Sequence, residues 1–467
     1  MDATDLAYAG AARQAQMVRD GECTAREVVE ATLERIAEVD PLLNAYRVVF
    51  AEEALAEADR VDAQGGTAEE KPLLGVPVPI KDDTDVAGER TAWGSLATSR
   101  APAPQDADVT ARLREAGAVI IGKTNVPELT IWPLCETLAF GSTRNPWNLD
   151  FTTGGSSGGS GAAAAAGLCG VAHGSDGAGS VRIPASFNGL FGLKPQRDRI
   201  SLGPNHFDGW NGLTVYGPLA RSVADAALFM DAAASDGPPG GFAAATQADP
   251  GKLRIAISVK PPPGALTRLG DEQLAAVHRT ADVLRDLGHD VFEREIEYPQ
   301  AAFLTTVARY LRSINDDVGT LPHPERLERR TRNMARLGSL ISDARLAQAR
   351  AAEPAVAAQV NTIFEGADAV LMPGPANRPF EVGELHGRGA LWTLNAAAGR
   401  VPWYGVWNTI GQPAASLPAG FDSFGLPLSA QLGGRPGDEV TLLQLGWQVE
   451  QASQWVDRRP PLDLVAA

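Results

Sequence analysis

The sequence predicts an α/β layered fold with a mixed β-sheet. Short apolar segments that are typical of buried strands alternate with longer segments of helical periodicity, most regularly after residue 252. The 49 glycines and 33 prolines indicate many tight turns and close approaches of the backbone. Hydrophobic residues make up 44% of the 467 positions, which allows a sizeable core and excludes a disordered chain.

The first 65 residues are predicted to be helical. Thr24 and Glu27 have the spacing of a capping box, so a helix is expected to begin there. Pro41 is expected to end this helix at about Asp40, because proline has no amide hydrogen to donate.

The later elements are predicted from apolar runs and the turn residues that flank them. Strands are expected at residues 73–80, 118–121, 253–258, 291–295, 368–372, 414–418 and 426–432. Helices are expected at residues 108–116, 221–235, 271–287 and 438–452. The stretches at 237–241 and 261–264 are linker-like, but strands continue beyond them, so a single domain is expected over residues 1–467.

Charge and cysteine content restrict the class of protein. With 57 acidic and 41 basic residues, the chain lacks the basic surplus of a protein that binds nucleic acid or anionic membranes. The three cysteines (Cys23, Cys135 and Cys169) form no CxxC pair, so neither disulfides nor a zinc site are expected. The acidic N-terminus is unlike a signal peptide, and no apolar run is long enough to span a membrane. A cytoplasmic protein without metal or cofactor is therefore expected.

Two short motifs match known patterns but lack the structural context that those patterns require. Residues 117–124 match the phosphate-binding pattern GxxxxGK[ST], yet the strand-like residues lie between the two glycines. Residues 155–159 match the GxSxG pattern around Ser157, but no convincing strand precedes it and no later histidine has a telling context. His173 lies among small apolar residues and is expected to be a buried, hydrogen-bonded side chain.

The Gly- and Ser-rich segment 153–186 is the strongest local indication of chemistry. Consecutive small residues at 175–180 allow several backbone N–H groups to converge beside a serine hydroxyl, as an oxyanion hole requires. A serine nucleophile needs a base, and burial after the apolar strand would lower the pKa of Lys81 towards that of a base. The local sequence alone favours a surface position for Lys81, because lysines are seldom buried.

Several longer motifs, in this order along the chain, resemble the amidase signature family. They are GVPVPIKD at 75–82, GKTN at 122–125, TGGSSGGS at 153–160, GSDGAGSVRIP at 174–184, GLKP at 192–195, GPLARSVAD at 217–225, WNTIGQPAASLP at 407–418 and GLPLSAQL at 425–432. The resemblance implies a mixed central β-sheet covered by helices on both faces. Within one domain it distinguishes an N-terminal helical segment (1–65), a signature core (71–235) and a remainder of sheet and covering helices (236–467).

The resemblance also implies a catalytic triad. By motif position, Ser180 is the nucleophile, Ser156 is the bridging serine after a cis peptide bond, and Lys81 is the base. Ser157 becomes a supporting residue. The implied oxyanion-hole donors are the backbone N–H groups of Gly177, Ala178, Gly179 and Ser180.

Two residues depart from the usual family pattern. Asp83 stands where asparagine is common, and a buried charge there would raise the pKa of Lys81. Asp83 is therefore expected to point away or to be paired. Ala178 stands where glycine is common, and its methyl group need not block the row of N–H groups.

The resemblance implies an amidohydrolase that forms an acyl-enzyme at Ser180 and acts on a small-molecule aryl or acyl amide or anilide, with carbamates and esters also possible. The chain is expected to be a monomer or a homodimer. Candidate pocket residues, each of which could instead pack in the core, are Trp132, Cys135, Thr153, Gly154, Phe207, Trp210, Trp403, Tyr404 and Trp407.

Two alternatives remain open. One is the glutaminase component of a tRNA-dependent amidotransferase, although residues 181–184 read VRIP rather than the usual IRQP. The other is a catalytically silent binding protein, against which the presence of all three triad residues argues.

Overall fold

The computed structural model describes residues 3–204, 208–264 and 266–462, and it confirms the predicted α/β fold. Its α-helices are α1 (Ala3–Tyr8), α2 (Ala11–Arg19), α3 (Ala25–Leu43), α4 (Ala51–Gln64), α5 (Asp108–Glu115), α6 (Gly158–Ala165), α7 (Arg182–Asn188), α8 (Val223–Ala233), α9 (Gly241–Thr246), α10 (Asp271–Asp286), α11 (Gln300–Thr320), α12 (Arg329–Gly338), α13 (Asp343–Ala351), α14 (Glu353–Val360), α15 (Ala390–Arg400), α16 (Gly405–Thr409) and α17 (Glu439–Ser453).

The strands are β1 (Tyr46–Val49), β2 (Pro77–Lys81), β3 (Val119–Thr124), β4 (Glu136–Thr137), β5 (Gly141–Ser142), β6 (Arg144–Asn145), β7 (Asn148–Thr152), β8 (Ala172–Asp176), β9 (Phe191–Lys194), β10 (Val215–Ala220), β11 (Arg254–Ile257), β12 (Asp290–Glu293), β13 (Ala369–Pro373), β14 (Ala414–Phe421) and β15 (Pro427–Gly434). Each strand and helix predicted after residue 65 has a counterpart here, with ends that differ by a few residues. The expectation of an entirely helical N-terminal segment is wrong, because β1 lies between α3 and α4 and pairs with β3.

A mixed sheet of eight strands forms the centre of the fold. Its strand order is β12-β11-β13-β15-β14-β9-β10-β8. The pairs β11–β12 and β11–β13 are parallel, and the other pairs are antiparallel. A smaller sheet has the order β1-β3-β2.

Alternation along the strands decides which helices cover which face of the central sheet. In β13, Ala369 and Leu371 pack in the cluster that includes α10 and α17, whereas Val370 and Met372 pack in the cluster that includes α14 and α16. Successive side chains of a strand point to opposite faces, so a strand that is apolar throughout needs cover on both faces. The helices on both faces provide it, as the family resemblance implied.

The smaller sheet lies against β8, at one edge of the central sheet. Gly170 N–H donates to the carbonyl of Pro77 (3.1 Å), and Lys81 N–H donates to Nδ1 of His173 (3.4 Å). His173 is fully buried, as expected, and burial lowers its pKa to about 3. This junction brings the end of β2 next to the Gly- and Ser-rich segment.

Three local expectations about the chain can be compared with the structure. The prediction that Pro41 ends the first long helix is wrong, because α3 continues to Leu43 and stops at Asn44, whose φ is 54°. A proline this close to the helix end removes only one hydrogen bond, which the following turn tolerates. The segment at 117–124 is strand β3, as expected, and its Lys123 is buried against Asp82 (3.1 Å), so it forms no phosphate-binding loop.

Within the described ranges, none of the helices combines the length and the apolar composition that crossing a membrane requires.

Candidate active site

Lys81 is fully buried at the end of β2. Its Nζ lies 2.7 Å from Oγ of Ser156 and 2.6 Å from Oγ of Ser175. The preceding strand residues are apolar and covered on all sides, so the strand carries the lysine away from solvent. The surface position that the local sequence favoured is therefore wrong, and the buried position that the family resemblance implied is confirmed.

Asp83 is paired with Lys81, which was one of its two expected arrangements. Its Oδ2 lies 3.1 Å from Lys81 Nζ and accepts a hydrogen bond from Ser175 Oγ (2.5 Å). Burial lowers the pKa of Lys81, and the charge of Asp83 limits this fall. Burial by itself would raise the pKa of Asp83, but Lys81 and Ser175 hold it below its usual range.

Ser156 follows a cis peptide bond from Gly155, as the family resemblance implied. Its neighbour Ser157 connects the two Gly- and Ser-rich segments: the Ser157 N–H donates to the carbonyl of Ser180 (3.2 Å), and Ser157 Oγ donates to the carbonyl of Ser175 (3.1 Å). Ser157 therefore supports the backbone around Ser180.

A buried ion pair holds the loop that contains Ser180. Asp176 Oδ2 lies 2.9 Å from Nε of Arg182, and both side chains are fully buried. Arg182 also donates to Oδ1 of Asn408 (2.7 Å) and Oε1 of Gln431 (2.7 Å), and Asn408 Nδ2 donates to the carbonyl of Asp176 (2.6 Å). Burial by itself would raise the pKa of Asp176. The charge of Arg182 outweighs this effect and keeps the pKa of Asp176 well below its usual range.

The expected row of four oxyanion-hole donors needs one correction. The N–H of Gly179 donates to Oδ1 of Asp176 (2.6 Å), so it is not free to bind an oxyanion in this arrangement. Among the described residues, the backbone N–H groups of Gly177, Ala178 and Ser180 have no such acceptor. Gly179 adopts φ 119°, a region that side chains disfavour, and this conformation turns its N–H towards the aspartate.

Ser180 borders two cavities. The first, called the inner cavity here, includes Ser156, Ser175, Ser180, Trp93, Trp210 and Asp317. The second, called the apolar slot, includes Ser180, Ala178, Ile183, Trp132, Tyr310 and Leu394. Trp210 is common to both cavities.

Trp132 and Trp210 border these cavities, but most of the other candidate pocket residues do not. The residues that are buried and border neither cavity are Cys135, Thr153, Gly154, Trp403, Tyr404 and Trp407.

Packing explains the correction for these residues. Trp407 lies against Gly433, and Trp403 Nε1 donates to the carbonyl of Lys260 (3.2 Å). Thr143 Oγ1 contacts Sγ of Cys135 (3.3 Å), and Thr153 is buried with its carbonyl accepting a hydrogen bond from Nδ2 of Asn188 (2.8 Å). Phe207 lies outside the described residues.

The sequence did not single out Ser175 or Asp317 as part of the site. Ser175 lies in a recognised motif, and its position between Lys81 and Asp83 could have been suspected from that motif. Asp317 lies on α11, far from every motif, and nothing near it in the sequence indicates its place in a cavity.

No group of three or more His, Cys, Asp or Glu side chains in the described part of the chain is arranged to hold a metal ion.

Comparison with known proteins identifies the family. The model of the family described as Amidase matches residues 27–443. The chain belongs to the amidase signature family. A relative from Mycobacterium bovis named "Putative amidase AmiB2" is 54% identical over 461 residues, which cover 98% of this chain and 99% of the relative.

Two solved structures show the same fold. That of a 6-aminohexanoate cyclic dimer hydrolase complexed with substrate is 34% identical, with a TM-score of 0.89 and coverage of 98% of this chain and 99% of that one. That of a bacterial aryl acylamidase is 25% identical, with a TM-score of 0.83 and coverage of 96% and 97%. This amidase-signature protein is an amide hydrolase.

Arg182→Ala is expected to destabilise the amidase strongly, because it leaves Asp176 buried without its cation. Breaking a buried pair in this way costs about 3–5 kcal/mol of unfolding free energy. Urea unfolding followed by circular dichroism measures the loss. The control is Arg13→Ala, which removes an exposed pair with Glu22 (2.7 Å) and should cost less than about 1 kcal/mol. Equal losses for the two variants would contradict the structural role of the Asp176–Arg182 pair.

Proposed function

We propose that this protein hydrolyses a carboxylic amide through an acyl-enzyme on Ser180, with Ser156 and Lys81 as the proton relay. The observation that carries the proposal is the 2.7 Å hydrogen bond between Lys81 Nζ and Ser156 Oγ, together with the cavity that Ser156 and Ser180 both border. A buried lysine in contact with a serine is an unusual arrangement, and perturbed titratable groups of this kind cluster at functional sites.

In the acylation step, neutral Lys81 accepts the proton of Ser156, and Ser156 accepts the proton of Ser180. Oγ of Ser180 attacks the carbonyl carbon and forms a tetrahedral intermediate. Backbone N–H groups of Gly177, Ala178 and Ser180 stabilise the oxyanion, a contribution of about 3 kcal/mol for each donor in comparable sites. The C–N bond then breaks, Ser156 gives its proton to the departing amine, and Lys81 returns a proton to Ser156 and becomes neutral again.

Deacylation uses the same relay with water as the nucleophile. Ser156 accepts a proton from the water molecule while the water oxygen attacks the acyl carbon. The proton passes to Oγ of Ser180 when the ester bond between Ser180 and the acyl group breaks. The carboxylic acid leaves and the serine hydroxyl is restored, so the hydrolysis consumes one water and no other reactant.

The apolar lining of the slot next to Ser180 favours a substrate whose acid part is an aryl or alkyl acyl group. Ser156, which returns the proton to the amine, borders the inner cavity and not the slot, so the leaving amine lies in the inner cavity and the acyl group lies in the slot. The names of the two structural neighbours, a cyclic amide hydrolase and an aryl acylamidase, agree with a substrate of substantial apolar area. Anilides, carbamates and esters offer the same carbonyl to Ser180.

The glutaminase alternative receives no support from the cavities. Glutamine carries an α-carboxylate, which proteins usually bind with arginine or lysine. Among the described residues, neither cavity is bordered by an arginine or lysine side chain.

Ser180→Ala is expected to lower kcat/KM for an acyl 4-nitroanilide on the order of 10,000-fold or more, because the nucleophile is removed. Release of 4-nitroaniline in the presence of EDTA measures the rate. Ser157→Ala is the matched control, since it removes the GxSxG serine but leaves the proposed nucleophile, and it should lose far less. The proposal fails if Ser180→Ala keeps its activity, or if Ser157→Ala alone abolishes activity in a folded protein.

Asp83→Asn is expected to move the acidic limb of the pH profile of kcat/KM to lower pH. Lys81 must be neutral to act as the base, and the Asp83 carboxylate raises the pKa of Lys81 against the effect of burial. Without this charge the pKa of Lys81 falls further, so the neutral form appears at lower pH. Asparagine at position 83 still offers an oxygen that can accept the hydrogen bond from Ser175. The control is Asp316→Asn, which removes an exposed carboxylate on α11. A limb that stays in place or moves to higher pH would show that Lys81 is not the base.

A series of acetyl, butyryl and hexanoyl 4-nitroanilides is expected to give a rising kcat/KM until the slot is filled. Each CH₂ group buried contributes about 0.8 kcal/mol, or about fourfold. Leu394→Ala should flatten the series because Leu394 borders the slot. Leu391→Ala, on the same helix but 66% exposed, should leave it unchanged. A flat series in the wild type would exclude acyl binding in the slot.

A further inference from the structure

Asp317 is an acidic side chain in the cavity that contains the proposed catalytic serines. It lies in the last part of α11 and borders the inner cavity together with Ser156 and Ser180. It also borders a neighbouring pocket that includes Trp93, Thr98 and Leu321. The proposed relay does not use Asp317.

In the described part of the chain, the carboxylate of Asp317 has a hydrogen bond but no cation partner. Its Oδ2 accepts a hydrogen bond from Trp210 Nε1 (3.1 Å). Among the described residues, no lysine, arginine or histidine lies within 4.0 Å of its carboxylate, whereas the adjacent, exposed Asp316 pairs with Arg312 (2.7 Å). Burial raises the pKa of Asp317 to about 6, although the hydrogen bond from Trp210 opposes this rise.

A partly desolvated carboxylate with one hydrogen bond is costly to the folded protein. The neighbouring Asp316 shows that the same helix can place a carboxylate in an ordinary exposed ion pair. The position of Asp317 in the cavity therefore supports a role towards a ligand better than a role in stability.

The walls beside Asp317 suit a cation. Trp210 and Trp93 border the same cavity, and tryptophan rings attract ammonium groups through their electron-rich faces. A carboxylate next to aromatic rings suits an amine. By contrast, no charged side chain of the described residues borders the apolar slot on the other side of Ser180.

We propose that Asp317 binds a positively charged amino group on the leaving amine of the substrate. The inference rests on the proposed function, which places the leaving amine in the inner cavity and the acyl group in the apolar slot. The substrate class is then an amide between an apolar carboxylic acid and a diamine. Hydrolysis adds one water, breaks the amide C–N bond and yields the carboxylate and the diamine, with the proton of the acid transferred to the new amine.

The kinetic test compares two substrates that differ in one charged group. N-(4-aminobutyl)hexanamide carries an ammonium where N-pentylhexanamide carries a methyl group. The wild type should favour the ammonium substrate in kcat/KM by on the order of 10- to 100-fold, the range for a hydrogen bond to a charged group. Asp317→Asn, which keeps the acceptor for Trp210, should bring this ratio close to one. Asp316→Asn should keep the ratio.

A ratio near one in the wild type, or a ratio that survives in Asp317→Asn, would overturn the proposal. If Ser180→Ala abolishes hydrolysis of both substrates while Asp317→Asn has no effect on their ratio, the proposed function stands and this inference fails.

A binding measurement tests Asp317 independently of turnover. Calorimetric titration of the Ser180→Ala protein with 1,4-diaminobutane should give binding that 1,4-butanediol does not match. The Ser180→Ala/Asp317→Asn protein should lose it, and Ser180→Ala/Asp316→Asn should retain it. Equal diamine binding with and without Asp317, or none in either protein, would overturn the inference even if neither amide were hydrolysed.

Discussion

The structure depends on one constraint, which is the complete burial of Lys81 where the smaller sheet meets the central sheet. Burying a charged lysine away from water costs folding free energy unless its ammonium group has hydrogen-bonding or ionic partners or loses its proton. Both solutions are present together, since Asp83 and Ser175 contact Nζ while burial favours the neutral form. Burial thus moves Lys81 towards the neutral form, which is the form that a general base needs.

A second buried pair has a different task. Arg182 lies 2.9 Å from Asp176 and keeps the pKa of that carboxyl well below its usual range, and Arg182 also donates to Asn408 and Gln431 from distant parts of the chain. This network fixes the backbone around Ser180 and takes up the N–H of Gly179, so the neighbouring N–H groups are arranged before a substrate arrives. In the proposed mechanism the Lys81–Asp83 pair serves proton transfer, whereas the Asp176–Arg182 pair holds the loop around Ser180 in place.

Much of the fold could be predicted from the sequence, because apolar strands and amphipathic helices each have a recognisable pattern in the local sequence. Strand β13, apolar throughout, and helix α10, with its regular periodicity, were both found in this way. The prediction that Pro41 ends α3 was wrong because a proline is tolerated near the end of a helix. The local sequence pattern does not show where that end lies. The burial of Lys81 could not be derived locally, since it requires β2 to lie beside β8, and only the order of the longer motifs indicated it.

The pocket was much harder to predict for a physical reason. Tryptophan is favoured both in cores and in binding sites, so Trp403 and Trp407, which are buried, could not be told from Trp132 and Trp210, which border cavities. Cavities arise between elements that are remote in sequence, and Asp317 shows this most clearly.

The two sides of Ser180 also differ in what they can exclude. The apolar slot can reject a charged acid part through the cost of desolvation, but it discriminates weakly among apolar groups of similar size. In the proposed arrangement the leaving amine lies beside Asp317 in the inner cavity, and the charge of Asp317 must be matched or neutralised when water leaves. A neutral leaving group then bears a cost that a cationic one does not. Selectivity for the amine part should therefore exceed selectivity for the acid part, since a polar group left unpaired costs more than a methylene group left unburied.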